Sequence, residues 1–448
     1  MRHAPRIALA LAVLGALLAG AKVSGGEHAT AQSPERPPNV LIIVTDDQRV
    51  STLDVMDETE RAFSHEGVNY TNAFVTTPLC CPSRASILTG LYAHNHGVIR
   101  NSSNDPLDYS RTVPAVLKGL GYRTAMFGKL SNAWQAGEVP PHFDEVRMKW
   151  EHGATAEAEL GSESVSFIDR GEGSDEQPWM LWLGTRAPHT PLLPDPEFRD
   201  APVPAPITEG QIERNLSDKP AFVRRVVRSA GRTSAGGFDF RRYRDQIAFE
   251  RESRRELLAT DEMVGQIFAA LERTGEDEET LAFFVSDNGY LAGEHGGLAR
   301  KHMPYREAIQ VPMLMRWPGH VPAGLDSEEI VANIDIAPTI YEAAGVNPGY
   351  TVDGRSLLSP TNRPYLYTER LAGREWPRFE GIVTDRLHYI RSFKGESWSP
   401  LAEELYRLDR DPFELRNVLS GAGRPPAAVG QLRRLAATAR DCSGEECP

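Results

Sequence analysis

The sequence predicts an α/β fold with a large mixed, mainly parallel sheet flanked by helices, followed by a small C-terminal α+β unit with an antiparallel sheet. Three observations support this fold class. From Asn39 onward, short apolar runs alternate with helical patterns, which is typical of parallel α/β sheets. Four of these runs end in polar residues. Between residues 364 and 419 the runs become short and alternating, as in antiparallel strands.

The four apolar runs that end in polar residues place candidate site residues at one edge of the sheet. Residues 40–44 lead to Asp46 and Asp47, 124–127 to Lys129, 179–183 to His189, and 281–285 to Asp287 and Asn288. Ligands of parallel α/β sheets bind at the carboxyl ends of the strands. We therefore expect these four segments to converge on one crevice.

The rest of the chain is organised around this core. Residues 251–271 predict a long helix with a charged outer face. Residues 220–245 are rich in arginine and interrupted by glycines, which predicts an irregular insertion near the crevice. This insertion is either a solvated loop or a basic rim for an anionic polymer. The predicted boundaries are 1–31 for a signal peptide and leader, 38–350 for the large domain, 360–425 for the small subdomain and 426–448 for a C-terminal tail.

Composition and charge limit the classes of function. The chain has 448 residues, 40% of them apolar and 25% charged, which is ordinary for a globular protein. The formal net charge of −13 argues against nucleic acid as a general partner. A locally basic site on an acidic protein remains compatible with this value.

The N-terminus has the pattern of a Sec-type signal peptide. Arg2 and Arg6 precede an apolar run over residues 7–21, and small residues near positions 21 and 31 offer cleavage sites. The run is short for a membrane span, and twin arginines are absent from it. The sequence therefore predicts a secreted or periplasmic protein with no stable membrane association.

The four cysteines fall into two pairs. Cys442 and Cys447 flank a short loop near the C-terminus, where an exported protein favours a disulfide. Such a disulfide leaves Cys80 and Cys81 unbridged. A Cys-Cys pair taken alone is as easily a buried pair, or half of a disulfide, as it is a reactive site.

The most informative motif is the run from residue 80 to residue 90, Cys-Cys-Pro-Ser-Arg-Ala-Ser-Ile-Leu-Thr-Gly. Pro82 suits the first turn of a helix, where its missing N–H would be unpaired anyway. The free N–H groups of that turn, the helix dipole and Arg84 together predict a pocket for an anion. A sulfur nucleophile at such a pocket indicates chemistry on a negatively charged group.

The acidic residues at two strand ends indicate a metal site. Asp46, Asp47, Asp287 and Asn288 offer only oxygen ligands, which favour Ca²⁺ or Mg²⁺ over zinc. Either pair alone has a simpler reading, as a helix cap or as a tight turn. Two such pairs at equivalent strand ends, together with the cysteine motif, make a metal site the better account.

Together these motifs resemble the type I sulfatases. Cys-x-Pro-Ser-Arg followed by Leu-Thr-Gly is similar to the signature in which the first cysteine is oxidised to formylglycine, the product of a formylglycine-generating enzyme. The resemblance spans Asn39 to about Asn417 and implies an alkaline-phosphatase-like fold. The run at residues 80–90 and the motif His94-Asn-His96 look closest to the N-acetylglucosamine-6-sulfatase branch and to bacterial arylsulfatase-like members.

The resemblance implies a role for each candidate residue. It implies one cation, Ca²⁺ or alternatively Mg²⁺, held by the modified Cys80 and by Asp46, Asp47, Asp287 and Asn288. In the same way, Lys129 and Lys301 would contact the sulfate, His189 would lie near the leaving-group oxygen, and Arg84 would hold the aldehyde hydrate. Many members carry a histidine where this chain has Ser131, and His295 or His96 are the candidates to replace it.

The implied activity is that of a sulfuric ester hydrolase acting on a sulfated small molecule or glycan, such as glucosamine-6-sulfate units or aryl sulfates. One hydroxyl of the hydrated aldehyde would attack sulfur, and the second would then expel sulfate. The nearest alternative is a phosphonate monoester or phosphodiester hydrolase, which shares the fold and the Cys-x-Pro-x-Arg motif. Two further alternatives are a non-catalytic binder of sulfated glycans and a thiol redox role. The redox role is disfavoured because adjacent cysteines bridge only with strain.

Overall fold

The computed structural model describes residues 36–102, 106–134, 137–148, 155–170, 177–229, 238–373, 376–421, 423 and 425–448. The predicted signal peptide and leader, and part of the arginine-rich segment with Arg232, lie outside the described residues. The described residues contain sixteen strands: β1 (Asn39–Thr45), β2 (Val68–Tyr70), β3 (Ala73–Phe74), β4 (Arg123–Gly128), β5 (Glu145–Arg147), β6 (Trp179–Gly184), β7 (Thr280–Ser286), β8 (Leu291–Ala292), β9 (Ala299–Arg300), β10 (Met313–Arg316), β11 (Leu325–Ser327), β12 (Val331–Ala332), β13 (Leu366–Arg370), β14 (Arg378–Val383), β15 (Leu387–Phe393) and β16 (Pro400–Arg407).

Helices connect most of these strands, and short 3-10 turns supplement them. The described α-helices are α1 (Asp57–Thr59), α2 (Cys80–Thr89), α3 (Ala93–His96), α4 (Val113–Gly119), α5 (Ala156–Asp169), α6 (Glu209–Ile212), α7 (Ala221–Ser229), α8 (Tyr243–Thr274), α9 (Glu294–Gly297), α10 (Arg306–Ile309), α11 (Ile336–Ala343) and α12 (Ala428–Ala439). No described helix combines the length and the hydropathy that a bilayer crossing requires.

An eight-stranded mixed sheet organises the large domain. Its strand order is β11-β2-β10-β7-β1-β6-β4-β5. Strands β7, β1, β6 and β4 lie side by side and run parallel, and they are the four strands predicted from the apolar runs. Strand β10 is antiparallel to both β7 and β2, which makes the sheet mixed. The predicted fold class is confirmed, and the carboxyl ends of the four central strands share one edge.

Helices cover both faces of this sheet. Val40, Ile42 and Val44 of β1 belong to the core beneath α2, α4 and α11. The alternate residues Leu41 and Ile43 belong to the core beneath α5 and α8. A strand buried on both faces requires a continuous apolar run, which explains the unbroken Val-Leu-Ile-Ile-Val sequence of β1.

The arginine-rich segment is more regular than the sequence suggested. Residues 221–229 form helix α7, and α8 starts at Tyr243, eight residues before the predicted start at 251. The prediction of an irregular insertion is therefore wrong for these parts. Val223 is buried and Phe222 packs on Trp376, so one face of α7 is anchored in spite of its arginines. Because arginines are interspersed among the apolar residues of α7, the sequence pattern alone does not reveal this face.

The C-terminal unit is a four-stranded antiparallel sheet, β13-β14-β15-β16, with α12 packed against it. This matches the predicted small antiparallel sheet and terminal helix. Cys442 and Cys447 form a disulfide at the end of α12 and belong to the same apolar core. The boundaries predicted for the domains remain predictions.

Candidate active site

Four strand ends deliver the predicted site residues to one edge of the central sheet. Asp46 and Asp47 follow β1, Asp287 follows β7, Lys129 follows β4, and His189 lies shortly after β6. Lys301 arrives from the segment after β9 and is also buried at this point. The predicted convergence is therefore seen in the structure, although these residues lie far apart along the chain.

Cys80 is the first residue of helix α2, which follows the extended residue Leu79. Its side chain is almost fully buried, at 1% exposure. The thiol donates weakly to Asp46 Oδ1 at 3.6 Å and accepts from Lys301 Nζ at 2.8 Å. Both Cys80 and Cys81 are reduced, so the alternative in which this pair forms a disulfide is not observed.

The first turn of α2 offers fewer free donors than the motif suggested. The backbone N–H of Cys81 donates to Asn101 Oδ1 at 2.9 Å, so this group is already satisfied from within the protein. The cationic side chains that act on Cys80 are those of Lys129, Lys301 and Arg84. This differs from the expectation that free N–H groups would line the anion pocket.

Asp46, Asp47, Asp287 and Cys80 form a group that we call the carboxylate cluster. Each offers a ligand atom, and these atoms all lie within 4.8 Å of one another. Three buried cations face the three carboxylates. Lys129 pairs with Asp46, Lys301 pairs with Asp47 at 2.5 Å, and Arg84 Nε donates to Asp287 Oδ2 at 2.6 Å. The charges of the cluster and of its partners therefore balance.

These pairings set the charge states of the cluster. Burial opposes ionisation of Asp46, but Lys129 and Lys301 hold the pKa of its carboxyl well below the usual range. Burial also opposes the charge of Lys301, yet Asp47 raises the pKa of its ammonium well above normal. Burial, with the charge of Asp46, raises the pKa of the Cys80 thiol to about 12. Unmodified Cys80 is thus a neutral thiol at physiological pH, which disfavours a thiolate or redox role.

The donor set at the cluster fits a hard divalent cation. Asn288 donates from Nδ2 to Asp47 Oδ1 at 2.6 Å, which leaves its Oδ1 directed elsewhere. That oxygen is buried and has no hydrogen-bond partner. A buried amide oxygen without a donor, beside three carboxylates, is suited to a cation that prefers oxygen ligands. The residues therefore fit the Ca²⁺ or Mg²⁺ site implied by the sequence.

Arg84 and His189 also lie at this edge of the sheet, next to the carboxylate cluster. Arg84 Nη1 donates to the Lys129 carbonyl at 2.7 Å, whereas Nη2 lies 3.7 Å from Asp46 Oδ2 and donates no hydrogen bond. His189 donates from Nδ1 to the Thr190 carbonyl at 2.7 Å, and its Nε2 lies 3.8 Å from Asp47 Oδ2. Its side chain is 27% exposed, so the histidine sits where the cluster opens to solvent.

Two glycines that sequence reasoning did not single out shape this site. A Cβ at Gly184 would lie 1.9 Å from the Lys129 carbonyl oxygen, and a Cβ at Gly128 would lie 2.0 Å from the Gly184 oxygen. Gly128 also adopts a φ of +80°. Because neither glycine has a side chain, the chain after β4 can pass close to β6. This close approach allows the Lys129 carbonyl to accept a hydrogen bond from Arg84. Glycine at two neighbouring strand ends was the available signal.

The histidines proposed to replace the one missing at Ser131 bond elsewhere. His96 bonds through Nε2 to Ser86 Oγ at 3.1 Å, while its Nδ1 accepts from the Val98 N–H. His295 bonds through Nδ1 to Glu213 Oε2 at 3.1 Å. Neither histidine belongs to the carboxylate cluster. The structure therefore brings His189, and neither of these two, to the cluster.

Comparison with known proteins decides the family. The sequence model described as Sulfatase matches residues 38–346, which is more than half of the chain. The chain belongs to the sulfatase family. A second model, described as N-sulphoglucosamine sulphohydrolase, C-terminal, matches residues 293–427 of this sulfatase-family protein and overlaps the first. The family predicted from the cysteine motif is thereby confirmed.

Relatives of this sulfatase-family chain carry sulfatase names. It is 29% identical over 431 residues to the extracellular sulfatase SULF-1 homolog of Drosophila melanogaster, covering 87% of this chain and 37% of that protein. It is 31% identical over 402 residues to human N-acetylglucosamine-6-sulfatase, covering 80% of this chain and 69% of that protein. The chain spans about half, 48%, of the length of a similar Caenorhabditis elegans protein.

Solved structures share the fold. A protein crystallised with its substrate D-glucosamine-2-N,6-O-disulfate superposes with a TM-score of 0.72 at 21% identity, covering 90% of this chain and 97% of that one. The phosphonate monoester hydrolase of Agrobacterium radiobacter superposes with a TM-score of 0.75 at 21% identity, covering 89% and 95%. At this identity the likeness establishes the alkaline-phosphatase-like architecture and leaves the choice of ester open.

Proposed function

We propose that this sulfatase-family protein hydrolyses sulfate monoesters at the carboxylate cluster. The observation that carries the proposal is the burial of Cys80 among three carboxylates, two lysines and one arginine. A sulfate monoester is an anion and repels nucleophiles until its charge is neutralised. A water-poor site with preset cations provides that neutralisation at the reacting group.

Lys129, Lys301 and Arg84 would supply the positive charge contributed by the chain. Lys301 Nζ is within hydrogen-bond distance of both Cys80 Sγ and Asp47 Oδ1. Its ammonium group can therefore stabilise negative charge that develops at position 80. Arg84 has one guanidinium nitrogen without a hydrogen-bond partner, and this nitrogen is available to an oxygen bound at Cys80. We assign the binding and orientation of the sulfate to these three residues.

Cys80 is the proposed site of formylglycine. Its thiol is neutral at physiological pH, because burial raises its pKa to about 12, and a neutral thiol is a poor nucleophile. When present, formylglycine would supply a hydroxyl nucleophile from its hydrated aldehyde. Installing it requires a formylglycine-generating enzyme as a partner during maturation.

Asp46, Asp47, Asp287 and Asn288 are the residues we propose to hold Ca²⁺, with Mg²⁺ as the alternative, together with residue 80. A bound cation would supply Lewis-acid polarisation of a sulfate oxygen. Asn288 and Asp47 are already joined by a hydrogen bond of 2.6 Å, so these two ligands are held in place before an ion arrives.

His189 is the proposed proton donor to the leaving alcohol. The hydrogen bond from its Nδ1 to the Thr190 carbonyl fixes the ring and directs Nε2 toward Asp47. Because the ring is partly exposed at the mouth of the cluster, it can approach the alcohol side of a bound ester.

Sulfated carbohydrates are the proposed substrate class. The human relative is named for 6-sulfated N-acetylglucosamine, and one structural neighbour was solved with a sulfated glucosamine. We propose glucosamine-6-sulfate units, with aryl sulfates as assay substrates. Extracellular relatives and the signal-like N-terminus support export of the protein to the periplasm or the medium.

A direct test compares purified protein on 4-nitrophenyl sulfate, glucosamine-6-sulfate and phenyl phosphonate. We expect sulfate turnover to exceed phosphonate turnover, and Cys80→Ala to abolish it. The mass of the tryptic peptide that contains residue 80 should reveal the aldehyde. Faster phosphonate turnover would favour the phosphonate hydrolase alternative, since the fold is common to both. Active protein with only an unmodified thiol would refute the formylglycine assignment.

A further inference from the structure

A second group of ligand atoms lies apart from the carboxylate cluster. His295, Glu307 and Glu414, which we call the His295 cluster, each present a nitrogen or oxygen atom, and these atoms lie within 4.8 Å of one another. His295 and Glu414 are fully buried. His295 and Glu307 come from the segment that carries Lys301, and Glu414 comes from the C-terminal unit.

In its neutral form, His295 presents a lone pair to this group. Its Nδ1 donates to Glu213 Oε2 at 3.1 Å, so in the neutral ring Nε2 is the unprotonated nitrogen. That Nε2 is buried and has no hydrogen-bond partner. Histidines that bind metals almost always donate their other ring N–H to a carboxylate in this way.

Glu307 faces this nitrogen with a second acceptor. Its Oε2 is also buried without a hydrogen-bond partner, and it lies 3.9 Å from His295 Nε2. This distance is too long for a hydrogen bond. Two ligands that each lie about 2.0–2.2 Å from one metal ion can be this far apart. A cation between the two atoms would satisfy both.

Glu414 is held in a fixed orientation beside them. One carboxylate oxygen accepts from His388 Nδ1, and the other accepts from the backbone N–H of Arg306 at 3.0 Å. Carboxylates that bind metals are commonly supported by such hydrogen bonds. Two of the three candidate ligands, His295 and Glu414, therefore have an outer shell that orients them.

The nearby cations are engaged by other carboxylates. Lys219 pairs with Glu213 at 3.3 Å, and Arg49 pairs with Glu294 at 2.8 Å. Within the described part of the chain, Glu307 has no lysine or arginine within 4.0 Å. A cavity of about 270 Å³, lined in part by Glu307, Glu294 and Arg49, reaches the group at Glu307.

We propose that His295, Glu307 and Glu414 bind a divalent transition-metal ion, with Zn²⁺ the best match to one imidazole and two carboxylates. This donor set differs from the all-oxygen set proposed for the active site, so the two sites would select different metals. Lys301 lies midway between His295 and Glu307 in the chain. The ion would cross-link the C-terminal unit to the segment that carries Lys301.

The test measures Zn²⁺ binding to the full-length mature protein by competition with a chromophoric chelator, with excess Ca²⁺ present to occupy the active site. Wild type should bind one Zn²⁺. Glu213→Gln removes an outer-shell partner and should weaken binding about 10–100-fold, and Glu307→Gln should weaken it by more than about 100-fold. Glu404→Gln is the matched control, because Glu404 is buried nearby but accepts from Tyr305 and Tyr406.

Diffraction gives an answer that does not depend on the stability of any variant. Crystals of wild-type protein soaked in Zn²⁺ should show an anomalous peak at the zinc edge between His295 Nε2 and Glu307 Oε2. Absence of this peak would overturn the proposal, as would equal Zn²⁺ affinity in wild type and in folded Glu307→Gln. Both results are independent of sulfate hydrolysis.

Discussion

Lys301 Nζ lies 2.8 Å from Cys80 Sγ, although 221 positions separate the two residues in the chain. The same nitrogen donates to Asp47 Oδ1 at 2.5 Å. One ammonium group therefore touches both the proposed nucleophile position and a proposed metal ligand. Its position links the charge of the cluster to the chemistry at residue 80.

Substitution of this lysine should sharply reduce catalysis. We expect Lys301→Met to lower kcat about 10²–10³-fold, the usual effect of losing one electrostatic donor at a reacting oxygen. Lys118→Met makes the same chemical change on an exposed lysine paired with Asp144 and should leave kcat unchanged. Steady-state kinetics on an aryl sulfate decide the matter, and a kcat near wild type in Lys301→Met would contradict the assignment.

Loss of one cluster carboxylate should destabilise the fold. Asp287→Asn removes the carboxylate nearest to the fully buried Arg84, and removing one member of a buried ion pair costs about 3–5 kcal/mol. Asp169→Asn breaks an exposed pair with Arg273 and should cost about 1 kcal/mol or less. Urea unfolding of both variants provides the comparison. Equal stabilities would show that the buried pair is not formed.

Removal of the proposed cation by a chelator should abolish activity and leave the fold intact. The three carboxylates already face Arg84, Lys129 and Lys301, so withdrawing a cation leaves no net buried charge from these six residues. We expect EDTA to abolish sulfate hydrolysis, Ca²⁺ to restore it, and circular dichroism to remain native throughout. Unfolding on chelation would mean that the ion, and not the lysines, balances the cluster.

A methyl group at position 184 should disturb the site from within the sheet. In Gly184→Ala the new Cβ would meet the Lys129 carbonyl oxygen at 1.9 Å, and relieving that overlap should cost about 1–3 kcal/mol or more. Activity should fall as well, because Arg84 bonds to this carbonyl. The control is Gly119→Ala at the end of α4, where nothing lies within 4 Å of the added Cβ. Thermal unfolding should distinguish the two variants.

Burial of His96 should make the folded protein less stable at mildly acidic pH. Burial lowers the pKa of its ring to about 3, against about 6.5 in the unfolded chain. The unfolded state therefore binds the proton more readily, and stability should fall as pH drops below 6.5, by about 2 kcal/mol at pH 5. His96→Gln should flatten that part of the profile, whereas His65→Gln, at an exposed histidine, should not. Urea unfolding between pH 5 and 8 tests this.

Conversion of Cys80 should require an unfolded substrate. The side chain is 1% exposed and lies beneath Lys301, so a modifying enzyme cannot reach the thiol in the folded protein. We expect a formylglycine-generating enzyme to convert a synthetic peptide of residues 76–92 and to leave folded, unmodified protein unchanged. The mass of the Cys80 peptide reports the outcome, and equal conversion of both would contradict the prediction.

The sequence predicted the central strands and most of the site because both depend on local signals. Each apolar run is long enough to mark a buried parallel strand, and Asp46, Asp287 and Lys129 follow such runs closely. Parallel topology then brings the strand ends together without further information. The small antiparallel sheet was predictable for the same kind of reason.

Features that depend on pairing across the chain were not predictable in this way. The sequence offers no local reason for His295 to turn toward Glu213 and away from the carboxylate cluster. Helix α7 was missed because arginines interrupt its apolar face, which is buried against residues distant in the chain, Trp376 among them. The satisfied N–H of Cys81 depends on Asn101, which lies beyond the helix that the motif predicts.

The burial of Cys80 has a consequence for timing during biosynthesis. Its pocket closes only when the segment that carries Asp287 and Lys301 has packed against β1, and that segment is translated about two hundred residues after Cys80. Until then the thiol stays accessible. Under the proposed conversion of Cys80, modification competes with folding, and the specific activity of a preparation would record which of the two was faster. Conditions that speed folding would yield more protein that is intact, stable and inactive.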